Sequence, residues 1–120
     1  MSGYRLPASN PLELYIDIRY ILEVIRTIAT RTTRDVYNGV NSQQARKLPL
    51  ELHDKAQRLL DQINTAPNLE FLKIPPSNRL EKLRGQLSNY WSLRINNQWR
   101  IIFKWKENNA FNVEIIDYHR

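Results

Sequence analysis

The sequence predicts an α+β domain: an N-terminal strand and helices packed on one face of a small antiparallel sheet. Two patterns carry this expectation. Between Pro49 and Thr65, Leu52, Ala56, Leu59, Leu60 and Ile63 recur at helical spacing, as they do on a helix with one face against a core. After position 79 the apolar residues alternate instead, and the alternating runs are separated by Asn96-Asn97 and Glu107-Asn108-Asn109, residue types suited to hairpin turns. Helical pattern and strand pattern therefore come in separate blocks, which places helices to one side of an antiparallel meander.

Residues 1–11 are rich in Ser, Gly, Pro and Asn and read as a loose tail. Leu12, Leu14, Ile16, Ile18, Tyr20 and Leu22 then fall on even positions, with Glu13, Asp17, Arg19 and Glu23 between them, which favours a strand. Val24 to Ala29 is a second short β-like run. Thr33 to Gly39 reads as a short helix stopped by glycine, and the polar stretch Asn41 to Lys47 as another helical turn. Pro49 suits the first position of a helix reaching to about Thr65. Pro67-Asn68 ends it, and a helical turn is expected at Leu69 to Leu72. Pro75-Pro76-Ser77-Asn78 is a rigid connector. Four strands follow: Arg79 to Leu83, Tyr90 to Ile95, Gln98 to Lys106 and Phe111 to His119.

Composition bounds the function. A chain of 120 residues holds one domain with one modest core. It contains no apolar run approaching roughly 20 residues, so no membrane span or membrane partner is expected. Pro7, Pro11, Glu13 and Asp17 break up any apolar segment of a secretory signal. The chain has no cysteine and two histidines, His53 and His119. Disulfides, thiolate zinc sites and a multi-histidine metal site within one chain are therefore excluded, no metal or cofactor is expected, and a cytoplasmic location fits. The net charge of +6 suits a polyanionic partner.

The chemistry-bearing residues collect in the second half. Along the third expected strand of the meander, Trp99, Ile101, Phe103 and Trp105 share one face, the core face. Arg100, Ile102, Lys104 and Lys106 share the other, as a cationic strip on the open side. Arg79, Lys82, Arg84 and Arg94 add to it. Asp117-Tyr118-His119 ends the last strand. A histidine can act as general acid or base, a tyrosine can donate a hydrogen bond or stack on a base, and arginines can hold a phosphate. RNA supplies its own nucleophile, the 2′-hydroxyl, so this set suffices for a metal-independent ribonuclease. Taken alone, Asp-Tyr-His is a weak signal, because strands ending in a surface histidine are common.

Several ordered motifs sharpen it. The stretch from Pro75 through Asn78-Arg79-Leu80-Glu81-Lys82-Leu83-Arg84-Gly85 resembles the region before the central sheet of HigB toxins, a branch of the RelE/ParE toxin superfamily. Tyr90-Trp91-Ser92-Leu93-Arg94-Ile95-Asn96-Asn97-Gln98-Trp99-Arg100-Ile101-Ile102-Phe103 is similar to that family's hairpin, and Val113 to His119 to its ending. Ile25 to Gly39 is similar to its opening strand and first helix.

The resemblance implies a RelE-like fold over residues 24–120. It also implies a type II toxin that acts as a ribosome-dependent endoribonuclease on messenger RNA in the decoding site of the small subunit, silenced by a helix-turn-helix antitoxin of the HigA kind. Carried over by position, His119 is the acid–base residue, with Asp117 and Tyr118 beside it and Arg100 stabilising the scissile phosphate. Arg84 takes the place of a lysine before glycine. It keeps the charge but cannot act as a base. Arg79 and Lys82 would contact the RNA backbone, as would Arg94 and Lys104 in the basic strip.

Two departures stand out. Some HigB toxins place a histidine where this chain has Glu81, which could substitute as a base or be a surface charge. The loop after Gly85 is Gln86-Leu87-Ser88-Asn89, without the usual basic residues. His53, beside an apolar helical stripe, reads as structural. Residues 1–23 read as an extension before the family's usual start. Either translation begins at Val24, whose codon can be a bacterial start codon, or the extension covers a sheet edge. Two other functions share the expected fold: a catalytically silent RNA- or ribosome-binding protein, and a ParE-like inhibitor of DNA gyrase. The Tyr118-His119 pair speaks against the second of these.

Overall fold

A computed structural model describes residues 23–118. The tail, the alternating run expected as a strand from Leu12, and His119 and Arg120 lie outside the described residues.

Helix α1 spans Arg31–Tyr37. Thr30 caps it, its side chain accepting from the Thr33 amide and so satisfying one of the unpaired N–H groups of the first turn. Gly39 adopts φ +70 just past its end, the left-handed position where glycine terminates helices. A 3-10 turn at Ala45–Lys47 follows, as the polar stretch predicts. Helix α2 spans His53–Thr65 and buries Ala56, Leu59, Leu60 and Ile63, four of the five residues in the sequence pattern. The expected start at Pro49 is corrected. A 3-10 turn at Leu50–Leu52 comes first, and Pro49 precedes that turn with extended ψ of 137°. A further 3-10 turn covers Leu69–Lys73.

Four strands form one antiparallel sheet in the order β1-β2-β3-β4: β1, Glu81–Lys82; β2, Trp91–Arg94; β3, Trp99–Lys106; and β4, Asn109–Asp117. The two turns expected between them connect β2 to β3 and β3 to β4. Strand β1 is shorter than the expected Arg79 to Leu83. Arg79 sits in the left-handed region at φ 50 and Gly85 at φ +68, so the chain turns sharply on both sides of the pair.

The run Val24 to Ala29 does not form a full strand. It lies parallel to β4 through two isolated bridges, Ile25 to Ala110 and Ile28 to Val113. The backbone of β4 carries an irregularity opposite this run. Asn112 has φ 54, and pairing with β3 shifts register between Ile102 and Lys104. Thr27 holds the irregular residue, its hydroxyl accepting from the Asn112 amide at 2.7 Å. A bulge leaves the extra residue's amide without a partner in the ladder, and the Thr27 hydroxyl supplies one.

Both helices pack on the same face of the sheet. The core joins Val36 of α1 and Leu59, Leu60 and Ile63 of α2 to Leu93, Ile101, Phe103, Val113 and Ile115 of the strands. Trp99 and Trp105 are partly buried against it, so the core face predicted for β3 is the one observed. Thr33 links the layers, its fully buried hydroxyl accepting from the Ile115 amide at 2.9 Å. Among the described residues, no helix is long and apolar enough to cross a membrane.

Candidate active site

The opposite face of the sheet carries the polar chemistry. Antiparallel register pairs Glu81 with Ser92, Arg94 with Arg100 and Arg100 with Ile116. Alternation then places Tyr118 on this same face. Arg79, Glu81, Arg94, Asn97, Gln98, Arg100 and Tyr118 together line a cleft of about 600 Å³.

Arg100 is the centre of this cleft, and its environment corrects one expectation. Rather than lying on a solvated strip, its residue is only 7% exposed. Local alternation correctly gave the face, but burial comes from distant residues folding over it. A buried guanidinium is costly unless it is paired and hydrogen-bonded. Arg100 Nη1 donates to the Ser92 hydroxyl at 3.0 Å and to Glu81 Oε1 at 3.3 Å, and the guanidinium lies 5.1 Å from the centre of the Tyr118 ring. Ile102, next on that face, is also buried. The cationic strip is therefore interrupted.

Glu81 is thus neither an isolated surface charge nor remote from the site. It is the carboxylate partner of the central arginine. Cross-strand arginines at 94 and 100 oppose like charges, an arrangement that disfavours pairing. Arg94 donates to the Asn97 side chain. With Arg79 also on the lining, three cations face one carboxylate, so the cleft favours an anion. The Arg100 guanidinium carries N–H donors at Nε and Nη2 besides Nη1, in the planar fork that matches phosphate oxygens.

Tyr118 is tied down by its amide, which donates to the Gln98 carbonyl at 2.6 Å. Asp117 accepts from the Gln98 side chain at 3.1 Å, beside the cleft rather than on its lining. Arg94 and Arg79 line the cleft. Arg84 does not: it is exposed and precedes the 3-10 turn Gly85–Leu87, where the chain has turned away. Lys82 lies over the Trp91 ring at 5.4 Å, and Lys104 over the Tyr90 ring at 5.4 Å, both away from the cleft lining. His119 lies outside the described residues. His53 Nε2 donates to the Leu48 carbonyl at 2.9 Å, consistent with a structural role.

Ser92, Asn97 and Gln98 join the site although no sequence motif marks them. Ser92 was the most legible of them, since a serine two positions before Arg94 on a strand must share its face.

The α+β fold with helices on one sheet face is the one that the resemblance to HigB toxins implies, and sequence comparison shows the family. Residues 34–119 match the HigB-like toxin family, described as the RelE-like toxin of type II toxin-antitoxin system HigB. The chain belongs to this family, and so is the toxin of a type II toxin-antitoxin pair. It is similar to Toxin HigB-1 of Vibrio cholerae serotype O1, with 34% identity over 80 residues, 67% of this chain and 83% of that protein. It is also similar to an uncharacterized protein of Haemophilus influenzae, with 38% identity over 73 residues, 61% of this chain and 71% of that one. Among solved structures, the YoeB-YefM complex from Staphylococcus aureus contains a chain of 22% identity and TM-score 0.49, over 80% of this chain and 98% of that one. The YoeB/ParE toxin from Agrobacterium tumefaciens has 19% identity and TM-score 0.42, over 79% and 99%.

Proposed function

We propose that this toxin is a ribosome-dependent endoribonuclease that cuts messenger RNA in the decoding site without a metal ion. The observation that supports it best is the Glu81–Arg100 contact of 3.3 Å within a cleft of net positive charge. A phosphate oxygen on the Arg100 fork is held beside a carboxylate that can accept a proton. In this reading the 2′-hydroxyl attacks the adjacent phosphorus and gives its proton to Glu81. The bond from phosphorus to the 5′-oxygen breaks, and His119 protonates the departing oxygen. A cyclic phosphate and a 5′-hydroxyl result. Arg100 stabilises the charge that grows on the phosphoryl oxygens, Tyr118 and Asp117 help to position the group in transit, and Arg79 and Arg94 hold flanking phosphates. Lys82, Lys104 and Arg84 reach RNA outside the cleft. The antitoxin is a helix-turn-helix protein of the HigA kind.

Mapping messenger 5′ ends after induction in a bacterium tests this reading. Wild type should arrest growth and create new 5′ ends, and both effects should vanish in His119→Ala and Arg100→Ala. Arrest that survives His119→Ala removes that residue from the mechanism. Arrest without new ends removes the nuclease reading altogether. Cleavage by the toxin on isolated ribosomes should also decline on at least one side of neutrality if His119 transfers a proton.

A further inference from the structure

The face that carries Arg100 holds a second cation–aromatic pair outside the cleft. Lys104 Nζ lies 5.4 Å from the centre of the Tyr90 ring. The two come together because β2 and β3 pair Trp91 with Phe103, which sets the preceding Tyr90 beside the following Lys104. Trp91 and Phe103 face the core, so their neighbours face the other way. Both Tyr90 and Lys104 are half-buried, and among the described residues no carboxylate pairs with Lys104. The pair repeats the Arg100–Tyr118 arrangement four residues further along β3, about 13 Å away at the rise of an extended strand.

We infer that Tyr90 and Lys104 form a second nucleotide subsite, taking the base and the phosphate of an unpaired RNA nucleotide that flanks the cleaved linkage. The inference rests on the ribonuclease reading for the identity of the ligand. Every base has a π-face, so a tyrosine ring beside a cation accepts single-stranded RNA with little regard to sequence. Between the two pairs Ile102 is buried, an apolar floor that offers no competing charge. Its partner on β4 is Glu114, which repels phosphate, so the strand is steered over β2 and β3 rather than over β4.

Binding of labelled RNA to the full chain tests the subsite, with cleavage on messenger-programmed ribosomes measured in parallel. Tyr90→Ala should weaken binding of single-stranded RNA about tenfold and leave binding to an RNA duplex unchanged, because duplex bases offer no free face. Tyr90→Phe should stay close to wild type. Lys104→Gln should weaken binding and reduce the slope of log affinity against log salt by about one. Lys104→Gln also decides the case if Tyr90→Ala fails to fold. Wild type that binds RNA with an affinity neither variant changes overturns the subsite and leaves the nuclease reading standing. Affinity that falls in both variants, while wild type cuts nothing on ribosomes, supports the subsite and removes the nuclease reading. Wild type that binds no RNA overturns the subsite.

Discussion

Ser92 and Arg100 lie on adjacent strands, both buried, and are joined by a hydrogen bond of 3.0 Å from the guanidinium to the hydroxyl. Ser92 is fully buried, so water cannot easily replace its oxygen. Ser92→Ala should therefore leave the arginine one acceptor short, with a stability loss of about 1.5–3 kcal/mol for a lost bond to a charged group. Arg100 would then sample other rotamers. Cleavage on ribosomes should show kcat falling about tenfold with KM little changed. Wild-type kcat in a well-folded Ser92→Ala protein would show that Glu81 alone positions the arginine.

Arg100→Lys keeps the charge and loses the fork. If Arg100 stabilises the transition state, kcat should drop on the order of 10²–10³-fold, as when one preorganised donor is removed. Glu81→Gln is nearly isosteric but cannot accept a proton. A loss of about 10²–10⁴-fold is expected for a general base, with single-turnover cleavage by the toxin on programmed ribosomes as the measurement. A Glu81→Gln protein that cuts at the wild-type rate would assign the base elsewhere.

Much of this fold was legible because it is periodic. Leu59, Leu60 and Ile63 of α2 and Ile101 and Phe103 of β3 are set by local spacing, and local spacing is what a sequence displays. The cleft was legible in part. Alternation places Arg94 and Arg100 together on one face, but it says nothing about how deeply a face is covered. Arg100 is buried through Glu81, 19 positions before it, and Tyr118, 18 positions after it, and no local pattern carries such contacts. Resemblance placed Arg84 in the site, whereas the left-handed turn at Gly85 leaves it off the cleft lining. The two sharp turns around Glu81 and Lys82 also hid how short β1 is, since the sequence there alternates well enough to suggest a longer strand.

The connector before β1 depends on Asn78, which is 5% exposed. Its amide nitrogen donates to Gln62 Oε1 at 3.0 Å and to the carbonyls of Leu72 and Ile74 at 3.2 Å each. One side chain thus ties the connector to α2 and fixes where Arg79 and Glu81 begin. Asn78→Asp replaces that donor with an acceptor facing three acceptors. It should destabilise the fold by about 2–4 kcal/mol, more than Asn78→Ala, which leaves the same groups unpaired at about 1–3 kcal/mol. Urea unfolding of the two variants checks the order. A more stable Asn78→Asp than Asn78→Ala would mean that the amide is not the organising contact.

Tyr37 gives the fold a pH dependence far from the cleft. Burial pushes its phenol up from 10.0 to about 12, helped by a hydrogen bond to Asp61 and by that carboxylate's charge. A raised value in the folded state means that the native protein holds this proton more tightly than the unfolded chain does. The resulting stabilisation is complete below about pH 10 and is lost as pH rises through about 12. Tyr37→Phe has no proton to lose. Near pH 8 it should be less stable than wild type by about 1 kcal/mol, the worth of the hydrogen bond. That gap should close as pH rises above about 10 and change sign before about pH 12, because the linked loss over this range exceeds the worth of one hydrogen bond. Chemical denaturation of both proteins across this range reads the gap directly, and the other tyrosines and the lysines titrate in both, so their effect cancels in the difference. A gap that stays constant up to pH 12 would mean that the Tyr37 phenol titrates alike in the folded and unfolded chains.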